Sequence, residues 1–308
     1  MSGGPRKIGF DRRLELDWLD TVAGRLAAGD SPKEAREAIW KRLEGVLSGE
    51  TAHGARGKTL TVLSAIWLAI PPARQPLRAA ALVRFNEVAP AERLALHWTM
   101  TLAAYPFFLD VAAQTGKLLG LNGDCTFAQV HRRMLERWGE RSTLTRAVQR
   151  VLRSMVGWGA LREGASAGDY QPPPKRLLVA EATHPLLLEG LLHAVGHGLA
   201  LDSLTGHPAL FPFDLHLNPL ALRRQPRFRV YRQGDQTDWV EVGDGAFESA
   251  PRGVAPRPHF HSPAQRLIMV RRPCPRRGVR PATGATAAPA ATPGAARPDR
   301  YERFAPNP

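Results

Sequence analysis

Cysteine is almost missing from this chain of 308 residues: only Cys125 and Cys274 occur, far apart and with no Cys or His at zinc-finger spacing beside either. That excludes a disulfide framework and a structural zinc site as the organising principle of the fold. The first twenty residues lack the apolar core of a secretory signal, so the expected location is the reducing cytoplasm. A clean membrane span is lacking too. The most apolar stretch, residues 94–113, holds His97, Pro106 and Asp110, each costly or disruptive in a bilayer, and reads instead as two buried helices, the second restarting near Pro106. There is also no Ser-His-Asp order, no recognisable pair of carboxylates and no metal triad. The chain is therefore expected to be non-catalytic and to need no cofactor.

Basic charge, by contrast, is abundant. The net charge is +14 and 44% of residues are hydrophobic, enough to bury a core and to favour a polyanionic partner. The charge is unevenly placed. Residues 1–123 carry 16 basic and 12 acidic side chains, 124–180 carry 10 and 5, 181–250 carry 5 and 9, and 251–308 carry 11 and 2.

From Phe10 to about Leu121 the pattern is helical. Leu14, Trp18, Val22 and Leu26 share one face; Ser31-Pro32 is an N-cap followed by proline at the first helical position; Leu60 to Ile70 and Leu77 to Val88 form two more helices. The connection Gly49 to Lys58 resembles a phosphate-binding loop, but Ala52 stands where the first glycine is required and no strand precedes it. A solvated linker is expected there.

Residues 124–180 carry the most specific signals. Thr126 with Gln129 makes a capping box, followed by an apolar stripe of Phe127, Val130, Met134 and Trp138. After the short turn Gly139-Glu140-Arg141, Ser142 is expected to cap a second helix running to about Trp158. Its apolar side is Leu144, Val148, Val151, Leu152 and Met155, and its opposite side is Thr143, Arg146, Arg150 and Arg153 with Gln149 at the edge. Guanidinium forks suit phosphates and guanine edges, and an amide suits adenine. Two short strands, at Ala160-Leu161 and Leu177 to Val179, are expected to form a wing with Lys175 and Arg176 in its long loop.

Further on, a helix is expected from Glu181 to Asp202, with His193 and His197 one turn apart but without the glutamate of a metalloprotease motif. Pro208 to Phe213 should pack on the fold, and Arg227 to Gln233 with Trp239 to Val242 read as a hairpin. Beyond Ala250 there are 12 prolines and 11 arginines in 58 residues, a composition expected to stay disordered.

The phrases Leu96-His97-Trp98, Ala104-Tyr105-Pro106-Phe107-Phe108, Ser142-Thr143-Leu144 and Trp158-Gly159-Ala160-Leu161 together resemble BrxA, an accessory family of bacterial BREX anti-phage systems, over residues 10–200. The resemblance implies a NusB-like helical part, a winged helix and DNA binding without catalysis, beside methyltransferase and ATPase partners. The basic tail and the segment after 205 depart from it.

The reading is thus a mainly α protein: a helical bundle at 8–123, a winged helix-turn-helix at 124–180, a helix with a hairpin at 181–250 and a tail at 251–308. The expected function is a DNA-binding accessory in a defence system, with RNA as an alternative nucleic acid. Thr143, Arg146, Gln149, Arg150, Arg153, Arg141, Lys175 and Arg176 are the expected contacts. Other defence-system proteins are the expected partners, a membrane is not, and the oligomeric state stays open. A stand-alone winged-helix regulator and a protein-interaction module are the alternatives.

Overall fold

Ser31 shows how the N-terminal helices are set. Its hydroxyl accepts from the Glu34 N–H while the Glu34 carboxylate accepts from the Ser31 N–H at 2.8 Å, and Pro32 fills the first helical position. The computed structural model describes residues 7–49, 51–216, 218–233 and 237–243; the segment 251–308 and Cys274 lie outside them. The described part is mainly helical. Its α-helices are α1 (Leu16–Ala27), α2 (Pro32–Arg42), α3 (Ala55–Leu63), α4 (Gln75–Glu87), α5 (Arg93–Ala104), α6 (Pro106–Asn122), α7 (Phe127–Trp138), α8 (Leu144–Gly157), α9 (His184–Val195), α10 (Leu201–Thr205) and α11 (Pro219–Arg223).

The strands are short: β1 (Cys125–Thr126), β2 (Arg162–Glu163), β3 (Asp169–Gln171), β4 (Leu177–Leu178), β5 (Leu199–Ala200), β6 (Phe213–Asp214), β7 (Phe228–Gln233) and β8 (Thr237–Val242). They form an antiparallel sheet in the order β1-β3-β2, a parallel pair β4-β6, and an antiparallel sheet in the order β5-β8-β7. The C-terminal hairpin has the register Val230 opposite Val240. Among the described residues no helix is long and apolar enough to cross a membrane.

Several element boundaries differ from the sequence reading, each for a packing reason. Leu14 precedes the first helix. The expected linker before Lys58 is already helical from Ala55, because the Arg56 guanidinium turns inward, donates to the Trp40 carbonyl at 2.8 Å and stacks on the Trp40 ring at 4.0 Å. The helix expected to reach Ile70 ends at Leu63 and widens into a π-turn over Ser64–Leu68. The carbonyls of Trp67 and Leu68 there accept from Arg78 Nη1 at 3.4 and 3.3 Å. The helix expected to run to Asp202 stops at Gly196, whose φ of +79° reverses the chain so that β5 can pair with β8.

One hydrophobic core joins residues from before position 123, from 124–180 and from 181–243. At its centre Trp98 is fully buried, with ring centroids of Phe108 at 4.9 Å, Trp158 at 6.2 Å, Phe211 at 5.9 Å and Phe213 at 5.5 Å. Its indole N–H donates to the Ala209 carbonyl at 3.1 Å. Two glycines permit the helices to close on this centre. A Cβ at Gly190 would stand 2.7 Å from the Thr99 carbonyl oxygen, and one at Gly116 would stand 2.0 Å from that of Pro208.

Two buried polar groups inside this core, His97 and Glu189, are paired across elements. Trp67 donates to Nδ1 of His97 at 3.2 Å, so His97 holds its proton on Nε2, 3.1 Å from the Asp20 carboxylate. The buried Glu189 carboxylate accepts from Arg227 Nη1 at 2.6 Å, which ties the C-terminal hairpin to α9.

Burial holds His97 and His184 below the usual histidine range, and burial beside Lys117 brings His207 down to about 4. The unfolded chain takes up these protons near pH 6.5 while the folded one resists. Stability should therefore be level above about pH 6.5 and fall as the pH drops toward 4, as urea unfolding at a series of pH values will read. Trp98→Ala should cost about 3–5 kcal/mol and lower the midpoint of a single thermal transition monitored by circular dichroism.

Candidate nucleic-acid interface

The α7 capping box of Thr126 and Gln129 is formed as expected, with the Thr126 N–H donating to Gln129 Oε1 at 2.8 Å and the Gln129 N–H to Thr126 Oγ1 at 3.2 Å. The helix buries Val130, Met134 and Trp138. Trp138 reaches back to α6, its N–H donating to Asp110 Oδ2 at 2.9 Å, and Arg137 Nε stands 2.6 Å from Asp110 Oδ1. One buried carboxylate therefore fixes the end of α7 against α6. The following turn leads into α8, which buries Leu144, Ala147, Val148, Val151, Leu152 and Met155.

Ser142 does not cap α8. The residue before the helix is Thr143, in a helical conformation and with no side-chain capping bond, because an extra turn closes there through Leu144 N–H to the Arg141 carbonyl at 3.0 Å. Both hydroxyls are left exposed at the helix entrance.

After α8 the hairpin lies elsewhere than expected. Ala160 and Leu161 are buried connectors, and the paired strands are β2 and β3, with Glu163 opposite Tyr170 and a tight loop at 164–168. β1 pairs on the other side of β3 with Cys125 opposite Tyr170. The strand at Leu177–Leu178 pairs in parallel with Phe213–Asp214 because the chain must return over Trp98. Lys175 and Arg176 thus lie beyond the hairpin, and its loop, Gly164-Ala165-Ser166-Ala167-Gly168, carries no charge.

On the outer side of α8, Arg146 and Arg153 are exposed and Gln149 is half-buried between them. Arg150 is drawn away from this group. Its guanidinium donates to the Asp11 carbonyl, and burial lowers its pKa, with the neighbouring Arg12 charge adding to the effect. The reason is an extended N-terminal segment laid along this flank. The Leu14 N–H donates to Ser154 Oγ at 2.9 Å and Trp158 Nε1 donates to the Leu14 carbonyl at 2.9 Å. Arg141 sits 5.8 Å over the Trp138 ring. The expected set therefore divides: Arg146, Gln149 and Arg153 share one open face, Thr143 and Arg141 stand at its entrance, Arg150 is a packing residue, and Lys175 and Arg176 are elsewhere.

A second feature was not foreseen. A cleft of about 1420 Å³ runs beside α6 from the N-terminal segment to the α7–α8 turn, and its rim carries Lys7, Lys58, Lys117, Arg137, Arg141 and Thr143. These residues come from four separate stretches of chain, so no local spacing could have joined them. A smaller cleft of about 530 Å³ shares Lys117 and adds Arg133 and Arg176.

Neither Cys125 nor Tyr105 is set up as a nucleophile. Burial pushes the Cys125 thiol up to about 12 and raises the Tyr105 phenol, so both stay protonated at neutral pH. Among the described residues no three His, Cys, Asp or Glu side chains stand together as metal ligands. His193 Nε2 is 3.6 Å from Glu189 Oε1, and His197 Nδ1 is 2.7 Å from the Gly198 carbonyl.

The division of the arginines has a measurable consequence. Arg150→Ala should lower unfolding free energy by about 1.5–3 kcal/mol, the worth of a hydrogen bond from a charged group. Arg146→Ala should change it by no more than about 0.5 kcal/mol. Chemical denaturation of the two variants beside the parent protein measures both. Comparison with family models, with characterised proteins and with solved structures finds no match to this chain.

Proposed function

We propose that this protein is a non-catalytic DNA-binding accessory protein in which α6, β1, α7, α8, β2 and β3 act as a winged helix-turn-helix. The observation that carries the reading is the open face of α8, where Arg146, Gln149 and Arg153 project from a helix clamped on its other sides. A rigid helix presenting guanidinium and amide groups is what major-groove docking requires. The strand order β1-β3-β2 around the helix pair supports the winged form. With an uncharged hairpin loop, the wing adds shape rather than phosphate affinity, so docking rests on α8 and its entrance at Arg141 and Thr143. Placement beside defence-system partners draws on the resemblance of residues 10–200 to BrxA.

A protein-interaction module is the second reading. Leu121 at 74% and Leu178 at 72% exposure are large apolar side chains left in solvent, as a partner-binding surface would have them.

Duplex binding by the full chain, followed by fluorescence anisotropy across a salt series, separates the two. The double variant Arg146→Ala, Arg153→Ala should lose at least about tenfold in affinity. Its slope of log affinity against log salt should become shallower by about 0.9 for each phosphate contact removed. Equal affinity and slope in the variant would sink the DNA reading of α8 and favour protein interaction.

A further inference from the structure

The large cleft beside α6 is left unused by a duplex docked on α8. It is concave, walled by the N-terminal segment, α3, α6, the α7–α8 turn and the end of α9. A duplex, whose major groove alone is about 12 Å across, rests on protruding surfaces and does not enter such a channel. A single extended chain does.

Its charge selects the chain's chemistry. Of the two carboxylates among the lining residues, Asp110 is engaged by Trp138 and Arg137, while Asp11 is half exposed with Arg12 Nε 3.9 Å away. Lys58 and Lys117 are exposed, and neither forms a salt bridge among the described residues. The Lys117 charge is felt inside the cleft, where it helps to lower the pKa of His207. Five cations, Lys7, Lys58, Lys117, Arg137 and Arg141, against two carboxylates leave the lining net positive, which suits an anionic polymer.

Its position selects which polymer. Arg141 and Thr143 line the cleft and also stand at the entrance of α8. A strand leaving the α8 face at that end arrives directly over the opening. From Leu109 to Lys117 the channel follows about 12 Å of α6, the rise of about three stacked nucleotides. The floor there is aliphatic, including Val62, Ala65, Pro106, Leu109 and Ala113; Tyr105 and Trp138 are 9% and 5% exposed, and the imidazoles of His197 and His207 also line the cleft. Neither the Tyr105 nor the Trp138 ring offers a face for base stacking, so the contact rests on sugar and phosphate.

We infer that the cleft beside α6 binds single-stranded nucleic acid, and that the protein engages a duplex-to-single-strand junction with the duplex on α8 and the strand in the cleft. The junction rests on the DNA reading of α8; the cleft site itself does not. The strand path is positioned by Lys58 and Lys117 with Arg141 at the threshold, and the smaller cleft continues it past Lys117 toward Arg133 and Arg176.

The test compares three labelled probes on the full chain at low and moderate salt: a blunt duplex, the same duplex with an oligo(dT) extension, and oligo(dT) alone. The extension should tighten binding about tenfold at low salt and less at moderate salt. An oligo(dA) extension should do the same. Lys58→Gln with Lys117→Gln should abolish that gain while leaving blunt-duplex affinity and the melting temperature unchanged, since both side chains are exposed and form no salt bridge among the described residues. Arg146→Ala with Arg153→Ala should weaken the blunt duplex and leave oligo(dT) binding intact. If the extension adds nothing, or its gain survives the lysine changes, the cleft assignment is overturned. Polyglutamate displacing oligo(dT) as readily as unlabelled oligo(dT) does would also overturn it, in favour of an acidic protein segment. If oligo(dT) binds through the two lysines while the blunt duplex does not bind, the reading of α8 fails and the cleft site stands.

Discussion

Trp98 is the constraint on which the rest of the molecule depends. A fully buried indole must find a partner for its N–H and must be surrounded by apolar groups. Here both needs are met by residues from distant parts of the chain: the Ala209 carbonyl for the N–H, and Phe108, Trp158, Phe211 and Phe213 for the ring. That one side chain draws α5, α6, the end of α8 and the 208–213 segment to a common point. The glycines at 116 and 190 follow from it, because the backbones around Trp98 approach too closely for a Cβ.

From this centre outward, the structure decides what α8 can present. Its apolar side is used up by the core and one flank by the N-terminal segment, which is pinned through Ser154, Trp158 and Arg150. What is left open is a narrower face than a helical wheel gives, and it contains Arg146, Gln149 and Arg153. A cation bonded to the Asp11 carbonyl and partly desolvated is poorly placed to neutralise a phosphate. Arg146, four positions earlier, and Arg153, three positions later on the same helix, keep their charge in solvent. The proposed interface is therefore defined as much by what covers α8 as by its own sequence.

Buried charges act in the same spirit. Asp110 sits on α6, yet its partners Arg137 and Trp138 belong to α7, so its carboxylate ties the helix pair to the bundle. Glu189 does the corresponding job for the C-terminal hairpin through Arg227. Removing one partner of such a pair leaves an uncompensated charge in the interior, which costs far more than the pair contributes. These pairs give the elements one arrangement relative to one another. The two sides of the basic cleft are held apart by that arrangement.

Elements whose signals are local were legible in the sequence. The N-cap at Ser31, the capping box at Thr126, the break at Pro106, the apolar stripes of α7 and α8 and the β7–β8 hairpin depend on residues a few positions apart, and their physics is complete within that span. Mainly helical architecture followed from those signals. Other features needed the folded chain. The strands after α8 moved to Arg162–Glu163 and Asp169–Gln171 because Leu177–Leu178 found a partner in Phe213–Asp214, a pairing between segments that share no local pattern. Arg150 carries the same chemistry as Arg146, and only the N-terminal segment lying beside it separates their roles. The cleft was invisible for the same reason. Lys7, Lys58, Lys117 and Arg141 are ordinary surface cations one by one, and a binding site arises when tertiary packing places them around one hollow. Sequence alone determined which helices form and which faces they bury, because propensity, capping and periodicity act over a few residues; tertiary structure alone decided which polar groups stay in solvent, because that depends on what else the chain lays against them.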